Sequence, residues 1–288
     1  MASRAERLAH RAILRTRVRR GDARAALALA RSLDRDPPRD HVAARRACEQ
    51  AAEAGLPDAM NALGEMLRDG RGGRRDLAGA ARWFEAAAKA GQQEATASLA
   101  AALFHGEGTV RDRAAGVRLY KRAAAAGLPS AMFELGLLLR DGQGVARDEA
   151  AALRHFRRAA ALGHAGAAST TGQAYWWGRW GARRDRARAA PFLLAAARKG
   201  EPRAAVLAGV ALQEGIGARR DPARAASLYR KAAQAGDPDG MYRLALSHRD
   251  GEGVRRSGVA ALAWARRAAS KGSARARALL RRLRRGRG

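Results

Sequence analysis

Cysteine and aromatic residues are scarce in this 288-residue chain, and basic residues far outnumber acidic ones. Cys48 is the only cysteine, which excludes an internal disulfide framework and a multi-cysteine metal site. Aromatic residues make up 5% of the chain and β-branched residues are few, which argues against a β-sandwich or barrel. The hydrophobic 47%, mostly Ala and Leu, supplies enough apolar surface for a core. The composition therefore predicts a soluble, helical and strongly basic protein.

Long apolar runs are also missing. Arginines interrupt every apolar stretch of residues 1–20, so these residues do not resemble the apolar core of a secretory signal. The longest uncharged stretch, 159–178, contains several Gly, Ser and Thr residues and would make a poor bilayer span. We therefore expect no transmembrane helix and a cytoplasmic location.

The positive charge is concentrated at the two ends of the chain. Fifty-six Lys and Arg residues against 27 Asp and Glu give a formal charge of +29. Residues 1–20 carry +6 and residues 253–288 carry +12, which leaves +11 for the rest. Almost all of this charge is arginine, which indicates either a GC-rich coding sequence or selection for phosphate contacts.

Three series of residues recur with the same period of 36 residues, with one step of 37. The first series is Gly55, Gly91, Gly127, Gly163, Gly200, Gly236 and Gly272. The second is Asp40, Asp76, Asp112, Asp148, Asp185, Asp221 and Ser257, and the third is the G-x-G loops at 70–72, 106–108, 142–144, 215–217 and 251–253. Because the series stay in register, they predict a tandem repeat.

Each repeat has the caps of two helices. Asp or Ser is a preferred N-cap, and Gly supplies a left-handed C-terminal cap, so a helix is predicted between them and is named helix B. A short turn, often with Pro, leads into a second helix, helix A, which ends at the G-x-G loop. We predict three parts: a basic N-terminal capping helix at 1–20, the repeats at 21–272, and an Arg-rich helix and tail at 273–288.

The repeat resembles the Sel1-like repeat family, a branch of the tetratricopeptide-type helical repeats. The resemblance rests on Ala131-Met-Phe-Glu-Leu-Gly136, Gly142-Gln-Gly-Val145, Asp148 and Tyr120-Lys-Arg-Ala-Ala-Ala-Ala-Gly127. It implies an all-α, right-handed α-solenoid of about seven 36-residue helix-loop-helix repeats with terminal capping helices. It also implies an adaptor or scaffold that binds a protein or peptide partner.

The sequence offers no recognisable catalytic site. The G-x-G loops lack a preceding strand and a following Lys-Ser or Lys-Thr, so they do not resemble phosphate-binding loops. The six histidines are scattered without ligand spacing, and Cys48 occupies a core position of helix B. We therefore expect no enzyme activity, cofactor, metal or small-molecule substrate; a hydrolase is the third interpretation.

A stripe along helix A is the candidate partner-binding surface. Asn61, Glu65 and Arg68 define it by their i, i+4, i+7 spacing, which is predicted to face outward from the repeats. The stripe is apolar in several repeats, and three tryptophans cluster where the single 37-residue step adds one residue. Together they give the candidate residues Phe133, Leu137, Gln173, Trp176, Trp177, Trp180, Tyr242 and Leu246. Each could bind a partner or pack inside the neighbouring repeat; the tryptophan cluster could equally plug a gap left by small residues.

The basic ends favour an alternative function in polyanion binding. The predicted contacts are Arg275, Arg277, Arg281, Arg282, Arg284 and Arg285, which could meet nucleic acid, an anionic membrane or an acidic protein. Residues 1–20 could likewise form a capping helix or an interfacial membrane helix. We expect a non-catalytic protein-interaction scaffold, with polyanion binding as the alternative.

Overall fold

The computed structural model describes the backbone of residues 3–285 and the side chains of residues 3–283. This part of the chain is all-α, with sixteen helices and no strand. The helices are α1 (Arg4–Arg19), α2 (Ala23–Arg35), α3 (His41–Glu53), α4 (Pro57–Asp69), α5 (Leu77–Lys89), α6 (Gln93–His105), α7 (Arg113–Ala125), α8 (Pro129–Asp141), α9 (Glu149–Ala161), α10 (Ala165–Trp177), α11 (Arg186–Arg198), α12 (Pro202–Glu214), α13 (Pro222–Gln234), α14 (Pro238–Asp250), α15 (Gly258–Ser270) and α16 (Ala274–Arg285). Helices α2 to α15 form seven A–B pairs, which confirms the predicted repeat.

The N-caps of the helix-B elements are those that the sequence predicts. From α3 to α15, each capping side chain accepts a hydrogen bond from the backbone N–H three residues later, at 2.7–2.9 Å for the six Asp caps and 3.2 Å for Ser257. These bonds satisfy one of the free N–H groups of each first turn. They explain why Asp or Ser recurs at every period.

Mid-helix glycines let the two helices of a repeat approach closely. A Cβ at Gly136 of α8 would lie 2.5 Å from Phe156 Cε1 of α9, and a Cβ at Gly209 of α12 would lie 2.4 Å from Tyr229 Cε1 of α13. Both rings are fully buried. The helix-propensity cost of each glycine, about 1 kcal/mol relative to Ala, is therefore offset by the packing of an aromatic ring.

Contacts between residues divide the chain into two compact units, which we name unit 1 (Met1–Ala131) and unit 2 (Met132–Gly288). The core of unit 1 includes Leu33, Leu63 and Phe84. The core of unit 2 includes Leu193 and Tyr229. The predicted segment boundaries at residues 20 and 272 fall between helices, before α2 and before α16, and remain predictions as domain limits.

Each terminal helix packs on its neighbour. In unit 1, Leu14 of α1 is buried in the core that α2 and α3 build. In unit 2, Ala276 and Leu279 of α16 are buried, and Leu279 joins a cluster that includes Ala265 of α15. Both helices thus cover apolar surface that the terminal repeat beside each of them would otherwise expose, as terminal caps do in repeat proteins.

Candidate partner-binding surface

The three clustered tryptophans have three different environments. Trp176 is only 2% exposed, and the Arg186 guanidinium lies 5.0 Å from its ring centroid. Trp177, by contrast, is 48% exposed. The interpretation of Trp176 as a surface anchor is therefore wrong, because its ring belongs to the core of unit 2; Trp177 stays accessible.

Trp180 lies in the loop that contains the inserted residue, and its side chain packs against neighbouring helices. It adopts a left-handed φ of 53°, and Gly181 beside it has a φ of 73°. Its ring lies edge-on to Phe156 at 6.3 Å, and the Arg140 guanidinium lies 5.5 Å from the ring centroid. The side chain is half-buried in these contacts, which join it to α8 and α9.

Two stripe residues of unit 2, Phe133 and Gln173, line one groove of about 500 Å³. The floor and walls come from α10 and from the turns that precede α12 and α14, with the lining residues Gly166, Ser169, Thr170, Glu201, Pro202, Arg203, Ala235, Gly236 and Asp237. Both stripe side chains are half-buried. We name this feature the unit-2 groove.

The walls of the unit-2 groove are held by local contacts. The Phe133 ring stacks on the His164 ring with centroids 4.7 Å apart, and Gln173 Nε2 donates to Ser169 Oγ at 3.0 Å. His164 Nδ1 accepts a hydrogen bond from the Ala167 N–H at 3.1 Å and so caps α10. Burial lowers the pKa of His164, which keeps the imidazole neutral and able to accept this bond.

The remaining candidates on the stripe do not share this groove. Tyr242 and Leu246 pack against the cluster that contains Leu279 of α16, so they are half-buried rather than open to a partner. Leu137 is half-buried and lies outside the groove lining. The stripe as a whole is less exposed than predicted: Val206 is 8% exposed and Ser169 is 6% exposed. The prediction that the whole stripe faces outward is therefore wrong, because some of its residues are buried.

Stability around the unit-2 groove should depend on pH through His164. Because burial lowers its folded-state pKa, the unfolded chain binds the proton first as pH falls below the ordinary value of 6.5, and stability falls with it. His164→Asn keeps a cap that accepts from Ala167 but does not titrate. We expect the urea midpoint of the wild type to fall more than that of His164→Asn between about pH 7.5 and about pH 5.5. Equal losses would mean that other groups, such as His155, whose pKa is lowered mainly by burial, carry the dependence.

The outer side of α16 is a basic face. Arg275, Arg277, Arg281 and Arg282 are exposed, and none of them forms an ion pair with an acidic residue whose side chain the structure describes. The side chains of Arg284 and Arg285 lie outside the described residues. The four predicted polyanion-binding arginines whose side chains the structure describes thus lie on one accessible surface.

Unit 1 has a cleft of its own, of about 320 Å³, which the sequence interpretation did not single out. Its walls are α2 and α4, with contributions from Cys48, Arg71, Gln92 and Glu94. Cys48 is 1% exposed, and its Sγ donates to the Ala59 carbonyl at 3.4 Å. Burial raises the pKa of this thiol to about 12, so Cys48 stays protonated and is a poor nucleophile. We name this feature the unit-1 cleft.

Among the described residues, no group of three or more His, Cys, Asp or Glu side chains is placed to hold a metal ion. None of the helices in the described part of the chain is long and apolar enough to cross a membrane.

Six consecutive segments match the Sel1 repeat, at residues 57–92, 93–128, 129–164, 167–201, 202–237 and 238–273. The chain belongs to the Sel1 repeat family. Each matched segment begins at or near a helix A and ends after the following helix B, so α2 and α3 form a seventh pair outside the match. Sel1 repeat proteins generally mediate protein–protein interaction, and the family is typically a non-catalytic scaffold.

Solved structures of Sel1 repeat proteins have the same fold. A Sel1 repeat protein from Oxalobacter formigenes is 30% identical with a TM-score of 0.67, and the match covers 95% of this chain and 79% of that one. The protective antigen c5321 of uropathogenic Escherichia coli is 29% identical with a TM-score of 0.73 and covers 93% of this chain, which spans 58% of the antigen. The Pseudomonas aeruginosa immunity protein Pa5087 is 20% identical with a TM-score of 0.55, covering 76% and 82% of the two chains, and shares the fold alone. A comparison with curated proteins finds no match.

Proposed function

We propose that the protein is a non-catalytic scaffold that binds an extended segment of a partner protein in the unit-2 groove. The observation that carries this proposal is the convergence of Phe133 and Gln173, from two successive helix-A elements, on one open groove. An aromatic face beside a small number of polar groups is the usual composition of a binding groove. The family's general role in protein interaction supports the same function.

The groove residues suggest how a segment would be held. Phe133 keeps part of its ring exposed, and an apolar side chain of the partner could cover that part. Gln173 and Thr170 line the same groove and can exchange hydrogen bonds with the partner's backbone. Glu201, Arg203 and Asp237 place charges of both signs around the groove, which would select the partner's sequence more than add to affinity.

A photo-crosslinking amino acid placed at Gln173 tests this proposal in cells. We expect one or a few discrete protein adducts from position 173 and none of these from Arg157, an exposed position on α9. Adding Phe133→Ala should reduce the adducts while the helical circular dichroism is retained. The same adducts from position 157, or none from position 173, would contradict binding in the groove.

A second candidate function, polyanion binding, is favoured by the unpaired basic face of α16. Contacts between arginines and phosphates release counterions, so the affinity should fall steeply with salt. Replacing Arg275, Arg277, Arg281 and Arg282 together with Gln should abolish salt-sensitive binding to duplex DNA or to anionic vesicles.

The matched control for this test removes the same charge elsewhere. Arg157, Arg158, Arg230 and Arg266 are exposed on helix-B elements of unit 2, and replacing all four with Gln gives the same net charge. Equal loss of binding in both variants would mean that net charge alone acts. No binding by the wild type at low salt would exclude this function.

A further inference from the structure

The unit-1 cleft carries hydrogen-bond acceptors that the fold leaves unused. Asp58, Asn61 and Glu65 follow one another at i, i+3 and i+7 on α4, so they share one face of that helix, and all three line the cleft. Asn61 is 8% exposed; its Nδ2 donates to Glu65 Oε1 at 3.2 Å, and its Oδ1 accepts no hydrogen bond. A buried carbonyl oxygen without a donor is unfavourable unless a ligand or a water supplies one.

The two carboxylates of this face are only loosely paired. Asp58 lies 3.9 Å from Arg31 Nη2, and Glu65 Oε2 lies 3.9 Å from Arg71 Nη2, both beyond hydrogen-bond distance. Asp34, on the opposite wall, is in contrast fully engaged: Arg71 Nη1 donates to it at 2.5 Å and His41 Nδ1 lies 2.9 Å away. The spare acceptor capacity of the cleft is therefore concentrated on α4.

The other repeats do not have this combination of residues. At the position of Asp58, the later repeats carry Glu94, Ser130, Gly166, Arg203 and Asp239; at that of Asn61, Ala97, Phe133, Ser169, Val206 and Tyr242; and at that of Glu65, Ala101, Leu137, Gln173, Val210 and Leu246. Polar residues recur at the position of Asp58, whereas the positions of Asn61 and Glu65 are small, apolar or aromatic in the later repeats except for Ser169 and Gln173. Among these helices, only α4 combines one amide with two carboxylates at the three positions.

We propose that the unit-1 cleft binds an alkylammonium or guanidinium group through Asp58, Asn61 and Glu65. Such a group donates several N–H bonds and complements both the unpaired amide oxygen and the two loosely paired carboxylates. Arg71 Nε is buried without a hydrogen-bond partner, and the carboxylate beside it, Asp69 Oδ2, lies 3.5 Å away, so an acceptor next to the cation of the ligand would complete its hydrogen bonding. An arginine or lysine residue of a peptide has this chemistry, as does the free amino acid, and a cleft of about 320 Å³ accommodates either.

Calorimetric titration of the full chain with three probes tests the proposal: a blocked Gly-Arg-Gly tripeptide, L-arginine, and a blocked Gly-Glu-Gly tripeptide. We expect saturable binding of one or both cationic probes and none of the acidic one. The tighter of the two cationic probes identifies the source as a peptide or as the free amino acid. The absence of saturable binding by both cationic probes would overturn the proposal, as would equal binding of the acidic tripeptide.

Two variants locate the site. Glu65→Gln and Asn61→Leu should each weaken binding about tenfold, because each removes a bond to a charged group. Glu85→Gln, at an exposed helix-B residue of the same unit, makes the same charge change as Glu65→Gln and should leave affinity unchanged. Unchanged binding by Glu65→Gln, or equal weakening by Glu85→Gln, would refute the site. If the Asn61→Leu variant does not fold, the affinity of the Glu65→Gln variant alone tests the site. Failure here leaves the crosslinking test of the unit-2 groove unaffected.

Discussion

Gly253→Ala is expected to destabilise unit 2 by about 3–4 kcal/mol, because the second glycine of the loop touches the backbone of the preceding repeat. A Cβ at this position would lie 1.9 Å from the Pro222 carbonyl oxygen and 2.3 Å from its carbon. Pro222 begins α13, so the overlap falls on helical backbone, which cannot move aside without shifting a helix. The φ of Gly253, 71°, adds strain for any residue with a Cβ.

Gly236→Ala is the matched control for this prediction. Gly236 has a φ of 87° but no atom within 4 Å of a built Cβ. Its replacement should therefore cost only the left-handed strain, about 1 kcal/mol. Urea denaturation followed by circular dichroism measures both variants. Equal losses of stability would show that the loop relaxes around the added methyl group. The close approach of Gly253 to Pro222 would then not be the reason for a glycine at this position.

The same close approach explains why the G-x-G loops recur. A Cβ at Gly72, Gly108 or Gly217 would lie 2.0–2.2 Å from a backbone oxygen in the first turn of the preceding helix B. The second glycine of each of these loops thus sets the spacing between successive repeats. The sequence revealed the period of these glycines but not their contact, because the contact joins residues about 30 positions apart.

The order of the helices was predictable because each end is marked by a residue with a local physical role. Asp accepts from its own first turn and Gly ends its own helix, so both signals are contained within a few residues of sequence. Six of the seven pairs have a glycine at the end of both helices, whereas the C-cap of α2 is Asp36, directly before two prolines. The candidate site depends on more distant contacts, which such marks do not contain.

Exposure of the stripe residues was less predictable for the same reason. Helical spacing places Trp176 and Tyr242 on a face of their helix, but the neighbouring elements decide whether that face is covered. Arg186 of α11 lies over Trp176, and the cluster around Leu279 of α16 packs against Tyr242. Large apolar residues suit both a core and an interface, so residue type could not separate the alternatives. The polar set on α4 was visible in the sequence, since no later repeat combines an amide with two carboxylates at these three positions.

Arg11→Met is expected to destabilise unit 1 by about 3 kcal/mol. This large effect is not evident from the sequence, because Arg11 belongs to an arginine-rich segment that resembles a charged surface. Arg11 is 3% exposed. Its guanidinium donates to Ser32 Oγ at 3.0 Å, to the Ser32 carbonyl at 2.5 Å, and to the carbonyls of Asp36 and Pro38 at 2.6 and 2.8 Å. The Ser32 carbonyl also accepts from the Asp36 N–H at 3.0 Å, whereas the carbonyls of Asp36 and Pro38 lie beyond the last turn of α2, where the helix supplies no backbone donor.

The methionine variant keeps the apolar stem of Arg11 but leaves these carbonyls without their charged donor, and a single loss of this kind costs about 1–3 kcal/mol. Arg15→Met, one turn further along α1 and exposed, removes the same charge and should change stability by less than about 0.5 kcal/mol. Hydrogen exchange in α1 and at 32–40 measures where the loss occurs, and urea denaturation measures its size. Equal stability of the two variants would mean that α1 is held by Leu14 and its apolar neighbours alone. A loss confined to Arg11→Met would show that one arginine of the basic end serves the cap and is unavailable to any external anion.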